Sequence, residues 1–152
     1  MTPPSLTDED RALVAAARAA RQRAYAPYSG YRVGAALRTS SGEVVSAANV
    51  ENASYGLTIC AERAAVFAAV AAGHRRFEAI AVAAAGPEPA APCGACRQVL
   101  REFPPGPGLR VLLVGESGEE IAATTLGDLL PSSFGPERLA PERLAGNEEP
   151  QP

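Results

Sequence analysis

The 152-residue sequence contains no lysine, one histidine and only three cysteines. All 14 basic residues are therefore arginines, and 17 acidic residues outnumber them, which gives a net charge of −3. Proteins that bind nucleic acid are usually basic, with the positive charge clustered on one face. The composition therefore argues against a nucleic-acid partner.

Long apolar runs are also absent. The longest, at 64–72, is far shorter than the run of about 20 residues that spans a bilayer. Residues 1–10 have neither a basic start nor an apolar core, so we expect no signal peptide and no membrane partner. An odd number of cysteines without such a signal is typical of reduced thiols, so we expect a cytoplasmic protein.

The pattern of apolar residues predicts one α/β domain. Alternation and helical periodicity, with Thr7 as the first helix cap, predict helices at 8–24, 60–72, 93–103 and 126–130, and strands at 33–37, 43–48, 79–84, 109–114 and 121–124. This order predicts a three-layer α/β/α sandwich around a mixed five-stranded sheet. We expect a single catalytic domain at 1–135. The segment 136–152, rich in Pro and Glu, is expected to form a mobile tail.

The three cysteines fall in two short motifs, Cys60-Ala61-Glu62 and Pro92-Cys93-Gly94-Ala95-Cys96. Three thiolates can hold one zinc ion and leave its fourth tetrahedral position open, as in catalytic zinc sites. Cys93 and Cys96 lie three residues apart at a predicted helix start, so they share one face. Glu62 is then a candidate base for a metal-bound water. Zinc deaminases carry this combination of motifs.

Other interpretations of the cysteines compete with a catalytic zinc. A structural zinc needs a fourth ligand, and the only histidine, His74, follows the far end of the second predicted helix. A redox pair of Cys93 and Cys96 leaves Cys60 without a role. Three inert core cysteines do not require the Pro-Cys-x-x-Cys pattern. A nucleophile activated by His74 is less favoured still, because nothing places His74 beside another reactive group.

The charge of such a site needs compensation. Three thiolates around Zn²⁺ leave a net charge of −1, which two helix N-termini oppose with about half a positive charge each. Arg63 or Arg97 could also donate a hydrogen bond to a ligand sulfur. Arg63 is favoured because it follows both Cys60 and Glu62 closely in the sequence.

Taken together, these residues resemble the small, three-cysteine, zinc-dependent cytidine deaminases. The resemblance extends over about 12–139 and rests on six segments: 25–29 (YAPYS), 33–37 (VGAAL), 49–53 (NVENA), 60–63 (CAER), 92–98 (PCGACRQ) and 129–134 (LLPSSF). It implies one zinc ion per subunit, held by Cys60, Cys93 and Cys96. It also implies that Glu62 is the proton shuttle in the hydrolysis of cytidine, and of deoxycytidine, to the uracil nucleoside and ammonia in pyrimidine salvage.

The same resemblance implies the substrate contacts. Asn49 and Glu51 would bind the ribose hydroxyls, and Tyr31 stands where the family often has a phenylalanine that packs on the base. The other implied contacts are Val50, Asn52, Ala53, Ser54, Tyr55, Ala61 and Phe134. Segment 52–55 and Phe134 would complete the site of a neighbouring subunit in a homotetramer. The predicted helix at 60–72 supports association, because it is apolar around its whole circumference.

Three other functions could use the cysteine motifs. A deaminase that acts on a cytosine-containing antibiotic such as blasticidin S would have the same zinc site, but Asn49 and Glu51 favour an ordinary nucleoside. A zinc-stabilised binding module without activity would not need Glu62. A polynucleotide deaminase would need a basic, aromatic surface that the sequence does not provide.

Overall fold

The computed structural model describes residues 5–139. Its helices are α1 (Asp8–Arg21), α2 (Ala61–Ala71), α3 (Gly94–Arg101) and α4 (Leu126–Leu129). Its strands are β1 (Gly34–Thr39), β2 (Val44–Ala48), β3 (Phe77–Ala84), β4 (Arg110–Gly115) and β5 (Ile121–Thr125). Short 3₁₀ turns lie at Tyr55–Leu57, Gly106–Gly108 and Pro136–Arg138.

The five strands form one mixed sheet in the order β2-β1-β3-β4-β5. β3 and β4 pair in parallel, and the other neighbours pair antiparallel. The predicted mixed five-stranded sheet is therefore confirmed. β3 begins at Phe77, two residues before the predicted start, because β1 extends to Thr39 and pairs with Phe77.

Helices cover both faces of the sheet, which confirms the three-layer arrangement. Side chains alternate along β3 between the two faces. Ala79, Ala81 and Ala83 pack in the cluster that contains Leu13, Val14 and Ala17 of α1. Ile80 and Val82 pack in the other cluster, with residues of α2 and α3 such as Ala65, Val66 and Leu100. The inner strand is consequently buried on both sides, as its continuous apolar sequence predicts.

α1 lies unusually close to β1. A Cβ atom at Gly34 would overlap the carbonyl oxygen of Ala17 and the backbone nitrogen of Arg21. Only glycine at this position lets the helix and the strand approach so closely.

The N-terminus of α1 is fixed by a capping box. The Thr7 hydroxyl accepts a hydrogen bond from the Asp10 N–H, and the Asp10 carboxylate accepts one from the Thr7 N–H, both at 3.1 Å. Thr7 therefore caps the helix as predicted. Asp10 is only 1% exposed, and it also accepts a hydrogen bond of 2.9 Å from Arg110 of β4. Arg38 of β1 lies 3.8 Å from the same carboxylate.

These contacts set the pKa of Asp10. Burial alone would raise it, but the hydrogen bond from the Thr7 N–H and the hydrogen bond and charge of Arg110 lower the pKa below its ordinary value. A lowered carboxyl pKa adds stability that is fully present above the unfolded value of about 4. This stabilisation is lost as the pH falls through the folded pKa.

We expect Asp10→Asn to lower the free energy of unfolding by about 2–4 kcal/mol, because Arg110 and Arg38 lose the charge that compensates them. Urea unfolding at pH 7 measures the loss, and the difference from the unsubstituted protein should shrink below pH 4. Asp8→Asn is the matched control, since Asp8 is exposed in the same helical turn. Equal effects of the two substitutions would contradict the role of the buried ion pairs.

The segment between β2 and α2 is fixed to its neighbours at Val50. Val50 forms isolated bridges with both Tyr25 and Ile59. The segment is therefore pinned at Val50, and the 3₁₀ turn at Tyr55–Leu57 follows. This brings 49–58 beside the start of α2.

The predicted tail is only partly described. Pro136–Arg138 forms a 3₁₀ turn, and Glu137 contacts Arg101 of α3, so this part packs against the domain. The remainder, 140–152, lies outside the described residues. Within 5–139, every helix is too short or too polar to cross a membrane.

Candidate metal centre and substrate cavity

Two helix N-termini bring the three cysteines together. Cys60 is the N-cap residue of α2, and Cys93 is the N-cap residue of α3. Cys96 lies in the first turn of α3 and is buried. The Sγ atoms of Cys60 and Cys93 are 3.9 Å apart, and those of Cys93 and Cys96 are 3.5 Å apart. All three sulfurs lie within 4.8 Å of one another.

This spacing fits a zinc ion. A tetrahedral zinc with Zn–S bonds of about 2.3 Å places its sulfurs about 3.8 Å apart. The observed separations of 3.5 and 3.9 Å are close to that value. Within 5–139, these three side chains are the one group of three or more potential ligands. The cluster can therefore hold a metal through three protein ligands.

The single histidine does not supply a fourth ligand. His74 lies beyond the C-terminus of α2, and its Nε2 atom is 2.9 Å from the Glu43 carboxylate. Glu43 belongs to the turn between β1 and β2. A four-ligand structural zinc that includes His74 is therefore not formed.

Arg63 lies against the cysteine cluster. Its Nη2 atom donates a hydrogen bond of 3.5 Å to the Cys60 sulfur. Hydrogen bonding from Cys96, followed by that from Arg63, lowers the pKa of Cys60 to about 5. Hydrogen bonding to Cys60 and burial raise the pKa of Cys96. Cys60 is therefore readily ionised beside Arg63, and its negative charge opposes ionisation of Cys96, so a positive ion between them would favour both thiolates.

The sequence allowed Arg97 as an alternative donor to a ligand sulfur, but its side chain binds backbone carbonyls instead. Its Nε atom donates to the Pro92 carbonyl at 2.7 Å, and its Nη1 atom donates to the Leu129 carbonyl at 2.5 Å. The side chain leaves α3 one position beyond Cys96, about 100° around the helix. Arg97 therefore ties the loop before α3 to the end of α4.

Glu62 lies in the first turn of α2, close to the three clustered cysteines. It is only 5% exposed, and burial raises the pKa of its carboxyl group. The negative charge of Cys60 raises that pKa further. A carboxyl group with a raised pKa can both accept and return a proton near neutral pH.

A cavity of about 210 Å³ opens beside the cluster. It is lined by the predicted site residues Tyr31, Asn49, Cys60, Ala61, Glu62 and Cys93. The amide of Asn49 is fixed, because its Oδ1 atom accepts from the Val33 N–H at 2.9 Å and its Nδ2 atom donates to the Tyr31 carbonyl at 2.8 Å. The cavity thus combines two sulfurs of the cysteine cluster, a buried acid and an oriented amide.

The apolar wall of this cavity was not predicted. It consists of Val33, Val82, Ala84, Ala90 and Ala91. Val82 and Ala84 are ordinary strand residues in sequence, but they lie at the carboxyl end of β3. Ligands of α/β sheets bind at the carboxyl ends of strands, and this rule is the signal that could have identified them.

A second cavity of about 340 Å³ contains Glu51. Its other lining residues are Tyr28, Ser29, Tyr55 and Thr58. The Ser29 hydroxyl donates to the Glu51 carboxylate, which also accepts from the N–H groups of Tyr28 and Ser29. These hydrogen bonds, that of the Ser29 hydroxyl first, lower the pKa of Glu51, so its carboxylate is charged and oriented.

Thr58 lines both cavities and therefore places them side by side. Its hydroxyl accepts a hydrogen bond of 3.3 Å from the Asn52 N–H. Sequence reasoning did not single out Thr58, because a threonine two residues before Cys60 belongs to no catalytic pattern on its own.

Several predicted site residues lie outside both cavities. Val50, Asn52, Ala53, Ser54 and Phe134 are exposed and line neither of them. Tyr55 lines the Glu51 cavity but remains 74% exposed. One chain therefore brings together the cysteine cluster, Glu62, Asn49 and Tyr31 around one cavity and places Glu51 in the adjoining cavity. The five exposed residues lie outside both cavities.

We expect Arg63→Gln to keep the metal site but to weaken zinc binding by about 10–100-fold, because a positive charge beside three thiolates is lost. Competition with a chromophoric chelator at pH 7 measures the affinity. Arg11→Gln, on the exposed side of α1, is the matched control. Equal zinc affinities for the two variants would show that Arg63 does not stabilise the thiolates.

Comparison with known proteins agrees with this geometry. The family described as cytidine and deoxycytidylate deaminase zinc-binding region matches residues 7–106. The cytidine deaminase of Sporosarcina psychrophila is 46% identical over 128 residues, which cover 84% of this chain and 93% of that protein. The crystal structure of cytidine deaminase from Burkholderia pseudomallei is 53% identical with a TM-score of 0.78, covering 85% of this chain and all of that one.

A more distant relative is the blasticidin-S deaminase of Bacillus cereus. It is 33% identical over 113 residues, which cover 68% of this chain and 77% of that protein.

Proposed function

Because this chain belongs to the cytidine and deoxycytidylate deaminase family, we propose that it hydrolyses cytidine, and deoxycytidine, to the uracil nucleoside and ammonia. The observation that carries the proposal is the position of Glu62, buried in the same cavity as Cys60 and Cys93. Three cysteines that can hold one zinc ion, beside an acid that can transfer protons, suit the hydrolysis of a ring amine.

In this proposal Cys60, Cys93 and Cys96 hold one zinc ion per subunit. When bound, zinc supplies Lewis-acid activation of water. Glu62 takes a proton from the attacking water and delivers it to N3 of the pyrimidine. It then transfers the second proton of that water to the departing amino group, which leaves as ammonia. Its raised pKa suits both directions of transfer. The apolar wall around Val82 excludes bulk water from the acid.

The nucleoside is oriented by residues on either side of Thr58. Tyr31 lies beside the base, Ala61 lines the cavity close to Glu62, and the oriented groups of Asn49 and Glu51 bind the ribose hydroxyls. The hydrogen bonds that fix Asn49 and Glu51 support this assignment, because pre-oriented polar groups lose little freedom on binding. Asn49 lines the cavity that contains Glu62, and Glu51 lines the adjoining cavity, so the ribose lies where the two cavities meet.

We further propose a homotetramer whose sites are shared between subunits. Asn52, Ala53, Ser54, Tyr55 and Phe134 complete the site of a neighbouring subunit, which accounts for their outward position. The exposed Phe67 of α2 supports association, because it leaves an apolar helix face uncovered in one chain. Action in pyrimidine salvage in the cytoplasm, without nucleic-acid or membrane partners, completes the proposal.

We expect Glu62→Gln to retain zinc and to lose activity by at least about 10²-fold, because an amide cannot relay the proton. The fall in ultraviolet absorbance on conversion of cytidine measures the rate, and metal analysis measures zinc. Glu102→Gln, at the exposed C-cap residue of α3, should keep full activity. A strong chelator should abolish the activity of the unsubstituted enzyme, and zinc should restore it. A fully active Glu62→Gln variant would exclude the proposed proton relay.

A substrate panel separates the proposal from its rivals. We expect turnover of cytidine and deoxycytidine and little turnover of blasticidin S or cytosine in single-stranded DNA. Turnover of blasticidin S alone would identify the antibiotic deaminase. Zinc-loaded protein that converts none of these substrates would identify a binding module without activity.

A further inference from the structure

Helix α3 contacts two functional regions at once. Its start carries the metal-ligand candidates Cys93 and Cys96, and its side chains hold the segment 129–137, which contains Phe134. Gln98 donates a hydrogen bond of 3.0 Å to the Phe134 carbonyl. Arg101 donates one of 2.8 Å to the Ser133 hydroxyl. The backbone around Phe134 is therefore fixed by α3, the helix whose start carries Cys93 and Cys96.

Arg101 is the centre of this attachment. It is only 8% exposed, and its guanidinium contacts Ser133 on one side of Phe134 and Glu137 on the other. Gly135 lies between them, and a Cβ atom at this position would overlap the guanidinium. The segment 133–137 thus wraps closely around one buried arginine.

The ring of Phe134 gains little from this arrangement within its own chain. It remains 57% exposed and lines neither cavity of the site. Its backbone is held while its apolar side chain faces outward. A large apolar side chain held in this way is typical of a contact made with another molecule.

We infer that Arg101 is a positioning residue that fixes Phe134 for entry into the substrate cavity of a neighbouring subunit. This inference rests on the proposed function, in which Phe134 completes a neighbouring site. The planar guanidinium suits the role because its rigid donors reach Ser133 and Glu137 together. Holding the segment in place before association lowers the ordering cost when substrate binds.

The first test is steady-state kinetics on the full chain. We expect Arg101→Gln to raise KM for cytidine about tenfold while kcat changes less than about twofold, because only the binding of substrate depends on the ring. Zinc content should stay the same. Arg101→Lys should recover part of the loss, and Arg76→Gln, an exposed arginine near the same surface, should behave as the unsubstituted enzyme.

A double-mutant cycle connects Arg101 to Phe134. Phe134→Ala should raise KM by about the same factor, and combining it with Arg101→Gln should add little, because both remove one contact. Multiplied effects, or an unchanged KM for Arg101→Gln, would overturn the inference. If Arg101→Gln does not fold, Ser133→Ala and Glu137→Gln each remove one partner of Arg101 and should raise KM in the same direction.

Subunit mixing distinguishes this inference from the proposed function. Refolding Arg101→Gln together with Glu62→Gln should restore low-KM activity, because inactive subunits supply well-positioned Phe134 rings to active neighbours. If Phe134→Ala leaves KM unchanged and mixing restores nothing, sites are not shared between subunits. The proposal of shared sites and the role of Arg101 then both fail. If Phe134→Ala is rescued by mixing but Arg101→Gln binds cytidine normally, only the role of Arg101 fails.

Discussion

The structure depends on the meeting of two helix N-termini above one face of the sheet. Cys60 and Cys93 occupy equivalent N-cap positions on α2 and α3. Three ionised thiolates within 4.8 Å would repel one another strongly, and the two helix ends oppose that repulsion together with Arg63. The arrangement also determines where Glu62 lies, because the first turn of α2 holds the acid beside the sulfurs.

The two faces of the sheet are built for different purposes. The face toward α1 is lined by alanines on β3, and Gly34 allows the helix to approach closely. This side is dense, and the pairing of Asp10 with Arg110 links its helix to the sheet. The opposite face has larger residues such as Val82. The helices on that face, α2 and α3, begin at Cys60 and Cys93, their N-cap residues. A rigid packed layer thus supports a layer that contains the cavity.

The site is divided between an enclosed part and an outward-facing part. Asn49, Glu62 and Tyr31 line a cavity within one chain, whereas Phe134 is exposed and does not line it. Helix α3 connects the two parts, since Cys93 is its N-cap residue and Arg101 is its last residue. The helix therefore links the cysteine cluster at its start to the segment that holds Phe134 at its end.

Local spacing in the sequence predicts the elements and the pairing of Cys93 with Cys96, because both depend on neighbouring positions. Cys60 meets these two cysteines across 33 positions, and that meeting depends on the packing of α2 beside α3. Apolar periodicity predicted the strands to within a few residues, and the spacing of Cys93 and Cys96 required a shared helix face. Packing in three dimensions determines that Arg63 contacts Cys60 while Arg97 binds carbonyls, and that Thr58 lines both cavities. It also decided that Asp10 pairs with Arg110, a residue 100 positions away. Such contacts depend on which strands pair and where side chains point after packing, and local spacing does not encode either.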